Sequence, residues 1–555
     1  MKKWETLTKV KSQKSKVKID DVFKILLQNR SIKTKKQTED FLNPKLSEVT
    51  IISVKISASQ VKKSIDRIKQ AIKNKEQIVV FGDYDVDGIC GTAILWETLN
   101  ELGAKVMPYI PNRIDEGYGL SEKGIENLKL KIKNCSLIIT VDNGIVANKA
   151  VEFAKKQGID VIITDHHVPS EKLPKAFSIV HTTLLCGTGV AYMLAQEFKI
   201  QKSKIKNRDH LGLVALATVS DLVPLLGANR TLLKYGLLEL HETKRPGLLA
   251  LFKEAKIDQK TIGVYEIGHI IAPRLNAMGR LESAMDSLRL VCTTNNKRGA
   301  ELAYKLASTN KERQNVTEEA VAHAKAKVRN SAFEKEKLLF VSDESYEQGV
   351  IGLVAGRLVE EFYLPSIVIS KGDIYSKASA RSVTGFNIIE FIRSELELLV
   401  DVGGHPMAAG FTVETTNLAL LEKNLKTRAE KLLDEEMLKR SLKIDLELPI
   451  LNLTQSLYDV IQKLQPFGMK NPEPTFLSKK LVIEDLRLVG NGSKHLKFNF
   501  QFPNSNFQIG GIYFGGGENN KLLIGDSVDV VYNLSENEWN GNKKLQLKIR
   551  DIKSL

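Results

Sequence analysis

Cysteine is scarce in this chain of 555 residues: only Cys90, Cys135, Cys186 and Cys292 occur, and no two form a Cys-x-x-Cys pair. This spacing argues against a disulfide framework and against a structural zinc site, which normally recruits cysteine. Long apolar runs are also missing, since none reaches the ~18 residues that a membrane-spanning helix needs. No apolar stretch follows the polar N-terminus, so we expect no signal peptide. These absences predict a soluble, cytoplasmic protein with reduced thiols.

Acidic residues are outnumbered, with 66 Asp and Glu against 81 Lys and Arg, which gives a formal net charge of +15. A basic excess favours a polyanionic partner such as nucleic acid, although a lysine-rich surface that only solvates the protein explains the same charge. Hydrophobic residues make up 43% of the chain, so sizeable cores are possible and global disorder is not expected. At ~150 residues per domain, the length predicts three or four domains.

Short apolar runs alternate with helical patterns from about residue 60 onwards. Strands are predicted at 78–81, 106–110, 137–141 and 161–164, with helices at 61–75 and 91–103. This alternation predicts parallel βαβ units. In such sheets ligands bind outside the carboxyl ends of the strands, so polar residues that follow the strands are the first candidates for a site.

An acidic loop follows the first of these strands. Asp83, Asp85 and Asp87 alternate there, and Gly88 closes the loop. Alternate residues of extended backbone point to the same side, so two of the three can grip one metal ion. The spacing also resembles the start of a calcium loop, but its twelfth position is Ile94 instead of an acid, which excludes that interpretation.

Further acids and histidines follow later elements. Asp142 fits a bridging carboxylate, and in Asp165-His166-His167 one imidazole can ligate a metal while the other contacts phosphate or a neighbouring carboxylate. Asp221 runs into an apolar stretch, where an unpaired charge is costly, so we expect a cation beside it, with a helix N-cap as the alternative. Two metals ~3.5–4 Å apart could activate water and clamp a leaving oxygen, and mixed Asp/His ligands suit Mn²⁺ or Mg²⁺.

The predicted secondary structure changes twice in the second half of the chain. Residues 210–330 are mostly helical and end in a long charged helix near 299–328, and a second βα pattern follows at 337–341, 349–362 and 366–370. After a charged stretch, alternating strands are predicted at 481–489, 495–502, 507–514, 527–534 and 545–552. Five short strands with Gly, Asn and Asp turns suit a small barrel of OB type, with a generic β-sandwich as the alternative.

Three basic or glycine-rich segments complete the pattern. They are Ala272-Pro-Arg-Leu-Asn-Ala-Met-Gly-Arg280, Ala378-Ser-Ala-Arg-Ser382 and Val402-Gly-Gly-His-Pro-Met-Ala-Ala-Gly410. The planar fork of arginine suits phosphate oxygens, and glycine lets the backbone approach a ligand. Gly-Gly-His could equally be a tight turn with a packed histidine. Together with a metal site, the three segments indicate a phosphate track.

These motifs, in this order, resemble the DHH phosphoesterase superfamily and, within it, the RecJ family of single-strand-specific 5′→3′ DNA exonucleases. Leu464-Gln-Pro-Phe-Gly-Met-Lys-Asn-Pro-Glu-Pro-Thr-Phe476 is also similar to that family's entry into its OB domain. The resemblance runs from about residue 55 to the C-terminus and implies an α/β fold. Its expected parts are a DHH catalytic domain with a parallel sheet at 56–290, a long connecting helix at 291–330, a smaller α/β DHHA1 domain at 331–430 and an OB-type β-barrel at 440–555. Residues 1–55 are polar and lysine-rich, and this composition predicts an N-terminal arm that lies on the main body.

The resemblance also implies roles for individual residues. The implied metal ligands are Asp83, Asp85, Asp87, Asp142, His166 and Asp221. The implied catalytic group is Asp85, Asp87, Asp142, His166, His167 and Asp221. The implied DNA contacts are Arg113, Arg274, Asn276, Arg280, Ser379, Arg381, Gly404 and His405, with Ser379 and Arg381 resembling a pocket for a 5′-phosphate. The chain departs from the family pattern at Tyr346-Glu347, where Trp-His is common, in the short segment 178–187, and at Lys470, which replaces a common glycine.

The implied reaction is degradation of single-stranded DNA from its 5′ end to 5′-mononucleotides, with two Mn²⁺ or Mg²⁺ ions, in DNA repair and recombination. Single-stranded DNA with a 5′ phosphate is the implied substrate, a helicase and a single-strand-binding protein are implied partners, and a monomer is expected. Two alternatives stay open. A DHH phosphodiesterase for short oligonucleotides or cyclic dinucleotides is disfavoured by residues 440–555, because such relatives are usually shorter. A non-catalytic DNA-binding factor is disfavoured because every acid is present.

Overall fold

The computed structural model of the chain describes residues 2–8, 17–113, 115–201, 209–330, 336–502, 507–517, 520–539 and 541–555. Within these ranges no helix is both long and apolar enough to cross a membrane, and all four cysteines are free thiols. The chain forms two compact units. The larger comprises residues 46–223 and 231–439, and the smaller comprises 1–45, 224–230 and 440–555.

The strands of the described residues are β1 (Lys3–Thr8), β2 (Gln77–Gly82), β3 (Lys105–Tyr109), β4 (Cys135–Val141), β5 (Asp160–Asp165), β6 (Ser178–His181), β7 (Leu339–Asp343), β8 (Ser366–Ser370), β9 (Tyr375–Arg381), β10 (Leu399–His405), β11 (Ala408–Glu414), β12 (Ser441–Glu447), β13 (Phe476–Val489), β14 (His495–Gln501), β15 (Gln508–Tyr513), β16 (Ser527–Trp539) and β17 (Asn542–Ser554). The helices are α1 (Ile19–Asn29), α2 (Lys35–Leu42), α3 (Ala58–Lys73), α4 (Val86–Glu101), α5 (Glu122–Lys131), α6 (Asn148–Lys156), α7 (Gly187–Gln201), α8 (His210–Ser220), α9 (Gly227–Glu242), α10 (Pro246–Glu254), α11 (Val264–Glu266), α12 (Ala272–Leu281), α13 (Met285–Cys292), α14 (Asn296–Asn330), α15 (Ile351–Phe362), α16 (Ile388–Arg393), α17 (Leu418–Leu432) and α18 (Gln455–Gln462).

A parallel sheet of order β3-β2-β4-β5-β6 organises the first part of the larger unit. Every residue of β2 is buried, as expected for a strand covered by helices on both faces. The predicted parallel sheet is therefore confirmed. The prediction missed β6, because four residues with polar ends give too short an apolar run to recognise.

Helix α4 begins at Val86, five residues before the predicted start at residue 91. The reason is its N-cap, since Asp85 Oδ1 accepts the backbone N–H of Asp87 at 2.9 Å and of Gly88 at 3.1 Å. The acidic segment is therefore a strand end followed by a helix start, and only Asp83 and Asp85 lie in non-helical backbone. The backbone is therefore not extended over the whole segment, but Asp83 and Asp85 still offer ligand atoms within 4.8 Å of each other, in agreement with the prediction that two of the three acids can grip one metal ion.

The connecting helix α14 is 35 residues long and starts at Asn296, where Asn295 Oδ1 accepts the N–H of Arg298 at 3.0 Å. It leads to the second sheet of the larger unit, of order β10-β11-β9-β8-β7. Strands β7 and β8 are parallel, and the remaining pairs are antiparallel. A smaller α/β layer after the long helix agrees with the expected architecture.

The smaller unit is built on a sheet of order β1-β12-β13-β14-β15-β17-β16, which closes because β13 also pairs with β16. Strands β13 to β17 are the five predicted strands, so the barrel of OB type is confirmed over the β-sandwich. Strand β1 pairs in parallel with β12, and Trp4 Nε1 donates to Asp551 Oδ2 at 2.7 Å. The start of the chain therefore belongs to the C-terminal unit, whereas the sequence suggested an arm on the main body.

Candidate metal centre and phosphate-binding residues

Three buried aspartates follow the carboxyl ends of adjacent parallel strands. Asp83 comes directly after β2, Asp142 directly after β4, and Asp165 ends β5. Because β2, β4 and β5 are neighbours in the sheet, their ends lie side by side. Three distant stretches of sequence thus contribute to one site, as the strand pattern predicted.

The helix that follows β2 adds two more carboxylates. Asp85 caps α4, and Asp87 lies in its first turn. Both oxygens of Asp87 accept backbone N–H groups at the start of α7, from Gly187 and from Thr188, each at 2.6 Å. A carboxylate at the N-terminus of a helix interacts favourably with the helix dipole, and these two hydrogen bonds hold Asp87 in one orientation.

Asp221 directly follows α8, so it lies at the C-terminal end of that helix. The alternative of an N-cap is therefore wrong. Asp221 Oδ2 lies 3.6 Å from His166 Nε2, and the same nitrogen lies 3.1 Å from Asp142 Oδ1 and 3.8 Å from Asp87 Oδ2. One imidazole thus sits at the centre of three carboxylates.

The ligand atoms fall into three groups, each within 4.8 Å across. The groups are Asp83, Asp85 and Asp142; Asp87, His166 and Asp221; and Asp142, His166 and His167. Asp142 belongs to two of them, as expected of a bridging carboxylate. The six predicted metal ligands are therefore all brought together.

Burial and mutual repulsion disfavour the charged forms of these acids. Burial, followed by the charges of nearby aspartates, raises the pKa of Asp83, Asp85 and Asp142. The same causes raise the pKa of Asp221 to about 9. Burial lowers the pKa of His166, so its neutral, metal-binding form is favoured.

The pattern of hydrogen bonds fits a bound cation. Among the described residues, four buried ligand atoms have no hydrogen-bond partner: Asp83 Oδ1, Asp142 Oδ1, Asp221 Oδ2 and His166 Nε2. Buried polar atoms are normally satisfied, and a hard divalent cation satisfies carboxylate oxygen and imidazole nitrogen at once. The residues present therefore fit Mn²⁺ or Mg²⁺.

His167 has a different environment from His166. Its Nδ1 lies 2.8 Å from Asp165 Oδ1, and its Nε2 lies 3.1 Å from the hydroxyl of Tyr118. Burial raises the pKa of Asp165, but the hydrogen bond and charge of His167 outweigh this, and the pKa is lowered. Sequence reasoning did not select Asp165 or Tyr118 as site residues. Two features of the sequence could have identified them. Asp165 opens the Asp-His-His triplet, and Tyr118 is an aromatic residue between two glycines.

Most of the predicted DNA contacts gather near this centre. The rings of His167 and His405 are stacked, with centroids 6.0 Å apart and planes at 14°.

Arg381 and Ser379 contact each other, since Arg381 Nη1 donates to Ser379 Oγ at 3.1 Å. Burial lowers the pKa of Arg381, and the positive charge of Arg113 lowers it further. Gly404 has a φ of +145°, and a Cβ there would lie 2.4 Å from the carbonyl oxygen of Ala408.

Arg280 is a partly buried arginine with other arginines around it. Burial, followed by the charges of Arg113 and Arg313, lowers its pKa to about 10, and Nη1 donates to the carbonyl of Gly349 at 3.1 Å. Positive charges that act on one another at a partly buried position favour an anion beside them. Arg313, on α14, was not selected from the sequence.

Two of the predicted contacts have partners within the protein. Asn276 Oδ1 accepts the N–H of Val86 at 2.9 Å, so it fixes the start of α4 beside Asp85. Arg274 Nη1 donates to the carbonyl of Ile270, and the charge that acts on it is that of Glu254. No described contact joins Arg274 to the metal centre or to the other arginines.

Three family models match the chain. The DHH family N-terminal domain matches residues 77–218, the DHHA1 domain matches 335–435, and the RecJ OB domain matches 444–551.

Curated relatives match over nearly the whole chain. The single-stranded-DNA-specific exonuclease RecJ of Bacillus subtilis is 36% identical, over 98% of this chain and 69% of the relative. The protein of the same name from Escherichia coli is 31% identical, over 89% of this chain and 90% of the relative. Among solved structures, RecJ from Thermus thermophilus in complex with Mn²⁺ is similar, with a TM-score of 0.82 and 27% identity over 99% of this chain and 79% of that chain.

Proposed function

The chain belongs to the RecJ family of single-stranded-DNA-specific exonucleases, and from this premise we propose that it digests single-stranded DNA from the 5′ end and releases 5′-mononucleotides. It is a metal-dependent exonuclease that uses Mn²⁺ or Mg²⁺. The observation that carries the proposal is the cluster of buried acids around His166, in which four ligand atoms have no hydrogen-bond partner among the described residues.

We propose that Asp83, Asp85, Asp87, Asp142, His166 and Asp221 hold two cations. Bound there, divalent cations supply Lewis-acid activation of water and of the scissile phosphate. The residues of the chain supply the rest. Asp142 belongs to two ligand groups and can bridge them, and the backbone N–H groups of Gly187 and Thr188 hold the carboxylate of Asp87 in one orientation. His167 and His405 present their rings beside this centre.

The preference for a 5′ end follows from a proposed phosphate pocket at Ser379, Arg381, Gly404 and His405. The first turn of α15 lies against it, since a Cβ on Gly352 would be 2.9 Å from Arg381 Nη2 and 3.0 Å from Ser379 Oγ. The N-terminus of a helix favours phosphate, as does the guanidinium fork. A terminal phosphate held there would place the first phosphodiester bond at the acids, which supports digestion from the 5′ end. Arg113 and Arg280 would contact the scissile region.

We further propose that the enzyme is a monomer that works in the cytoplasm, where its DNA substrate is, in repair and recombination. A helicase would supply single strands, and a single-strand-binding protein would present them. These proposals rest on the family resemblance, and the net charge of +15 supports the choice of a polyanionic substrate.

The test uses a 5′-phosphorylated single strand labelled at its 3′ end, incubated with Mn²⁺ or Mg²⁺. We expect the 3′-labelled strand to shorten progressively as unlabelled mononucleotides leave its 5′ end, with no cleavage in EDTA and little cleavage of a blunt duplex. Asp142→Ala should reduce the rate by more than about 100-fold, because it removes a carboxylate shared by two ligand groups. Products are measured by denaturing electrophoresis over time.

The matched control is Asp373→Asn, which removes the charge of an exposed aspartate in the connection between β8 and β9. It should leave the rate unchanged. Equal digestion of the blunt duplex, or full activity of Asp142→Ala, would contradict the proposal.

A further inference from the structure

A chain of three hydrogen-bonded side chains lies beside the metal-binding acids. Asp165 Oδ1 contacts His167 Nδ1 at 2.8 Å, and His167 Nε2 contacts the Tyr118 hydroxyl at 3.1 Å. The far end is anchored, because Asp165 is buried and its Oδ2 accepts the N–H of Ile145 at 2.8 Å. Both ring nitrogens of His167 are therefore engaged.

The protons of this chain have two consistent arrangements. When His167 is neutral, Nδ1–H donates to Asp165 and the Tyr118 hydroxyl donates to Nε2. When His167 is an imidazolium, Nε2–H donates to the oxygen of Tyr118, whose hydroxyl then donates to the carbonyl of Asp142, 3.4 Å away. A hydroxyl both donates and accepts, so Tyr118 satisfies Nε2 in either state, which no hydrocarbon side chain can do.

Tyr118 is itself held in place. Its ring packs edge-on against Tyr84, with centroids 6.0 Å apart and planes at 80°. The flanking Gly117 and Gly119 have φ values of +82° and +65°, which glycine adopts without strain. Because the backbone turns sharply on both sides, the tyrosine projects towards the Asp-His-His triplet from a defined loop.

The consequence of this arrangement is a fixed orientation of the His167 ring. One face stacks on His405, with centroids 6.0 Å apart and planes at 14°, and His166 lies 4.5 Å away between centroids. Without the hydroxyl, Nε2 loses its hydrogen-bond partner, and among the described contacts the bond to Asp165 is the ring's one remaining side-chain hydrogen bond. Its plane could then tilt away from His405.

We propose that Tyr118 is a positioning residue for the exonuclease reaction, and that its hydroxyl orients His167 between the metal centre and His405. This inference rests on the proposed function. The hydroxyl acts through His167, so its loss should slow the chemical step, while DNA binding through the proposed arginine contacts should persist.

Tyr118→Phe removes only the hydroxyl, and we expect kcat on 5′-phosphorylated single-stranded DNA to fall by about 10- to 100-fold with KM unchanged. In a His167→Ala background the same substitution should cause no further loss, because the group it acts on is gone. Tyr304→Phe, at an exposed tyrosine of α14, is the matched control and should leave both constants unchanged.

A second readout does not depend on activity. In metal-free protein labelled with ¹⁵N-histidine, the Nε2 resonance of His167, assigned by its disappearance in His167→Ala, should shift in Tyr118→Phe and stay in place in Tyr304→Phe. The inference would be overturned if Tyr118→Phe kept the wild-type kcat or left the His167 Nε2 resonance in place. It would also be overturned if Tyr118→Phe lowered kcat as much in the His167→Ala background as in the wild type. A wild-type chain that cleaves no single-stranded DNA would overturn the proposed function, which is a different result from an active chain insensitive to Tyr118→Phe.

Discussion

A single glycine allows two of the acids to approach each other. The N–H of Gly187 donates to Asp87 Oδ2 at 2.6 Å, and a Cβ on Gly187 would lie 2.6 Å from both Cβ and Oδ1 of Asp142. A separation of 2.6 Å is shorter than two non-bonded atoms permit. The Cβ of Asp142 is attached directly to the backbone, so it cannot move away by a side-chain rotation. The absence of a side chain at residue 187 is therefore part of the site.

Gly187→Ala should displace Asp142 or the start of α7 and lower kcat by about 100-fold, since small displacements of catalytic groups have large effects on rate. Apparent Mn²⁺ affinity, measured by titration calorimetry, should weaken as well. Gly356→Ala is the matched control: it lies inside α15, a Cβ there would have no atom within 4 Å, and alanine favours helix. Unchanged Mn²⁺ affinity in Gly187→Ala would contradict the prediction, because it would show that the backbone accommodates the added Cβ without displacing Asp142.

Among the elements, α4 connects the metal centre to a buried ion cluster. Its first turn carries Asp87, and further along the helix Glu97 accepts two hydrogen bonds from Arg245, at 2.8 and 2.9 Å, and one from His210 at 3.0 Å. Burial raises the pKa of Glu97, but these hydrogen bonds outweigh it and lower the pKa from 4.5 to about 2. The cluster ties α4 to α8 and to the start of α10.

Glu97→Gln should destabilise the protein by about 3 kcal/mol at pH 7, because breaking a buried ion pair leaves a buried charge poorly compensated. A carboxylate whose folded pKa is depressed stabilises fully above its unfolded value of 4.5, and this contribution is lost as pH falls through about 2. The difference in free energy of unfolding between wild type and Glu97→Gln should therefore shrink below pH 4.5. Urea unfolding over this pH range measures it.

The control for this element is Glu301→Gln, which breaks an exposed pair with Arg298. Such a pair contributes roughly 0–1 kcal/mol, so the effect should be small at every pH. If the difference in free energy of unfolding between wild type and Glu97→Gln stayed constant below pH 4.5, the lost stability would come from packing and not from the charge of Glu97.

At the scale of the whole molecule, we expect the acidic site to lower stability until cations bind. Burial and mutual repulsion raise the pKa of several of the aspartates, so their charged forms are unfavourable in the folded protein. A ligand that binds only the folded state stabilises it by about 2.7 kcal/mol at 100 times its dissociation constant. Cations are therefore expected to contribute to stability as well as to chemistry.

Mn²⁺ should raise the melting temperature of the wild type, and EDTA should reverse the change. Without metal, Asp142→Asn should be more stable than the wild type by about 1–2 kcal/mol, because a neutral amide replaces a repelled buried carboxylate. Mn²⁺ should raise the melting temperature of Asp142→Asn by less than it raises that of the wild type. Scanning calorimetry measures both differences, with Asp373→Asn as control. A metal-free Asp142→Asn that melts below the wild type would contradict the expected repulsion.

Much of the fold was predictable because each element carries a local signal. Buried β-branched runs predicted the strands of the parallel sheet, and five alternating strands with turn residues predicted the barrel. The errors occurred where a local signal competes with a side-chain contact or is too short to read. Asp85 starts α4 early by capping it, β6 is too short for a recognisable period, and Trp4 lies in a strand whose partner, β12, comes near the other end of the chain.

The sequence by itself predicted that Asp83, Asp142 and Asp165 lie together, because strand ends in a parallel sheet meet at one edge and so bring distant acids together. It did not determine what each residue contacts. Only the tertiary structure placed Asp221 at a helix end beside His166, turned Asn276 towards the start of α4, and set Tyr118 against His167. These contacts join segments that are far apart in sequence, and their geometry depends on side-chain packing, which no local pattern encodes.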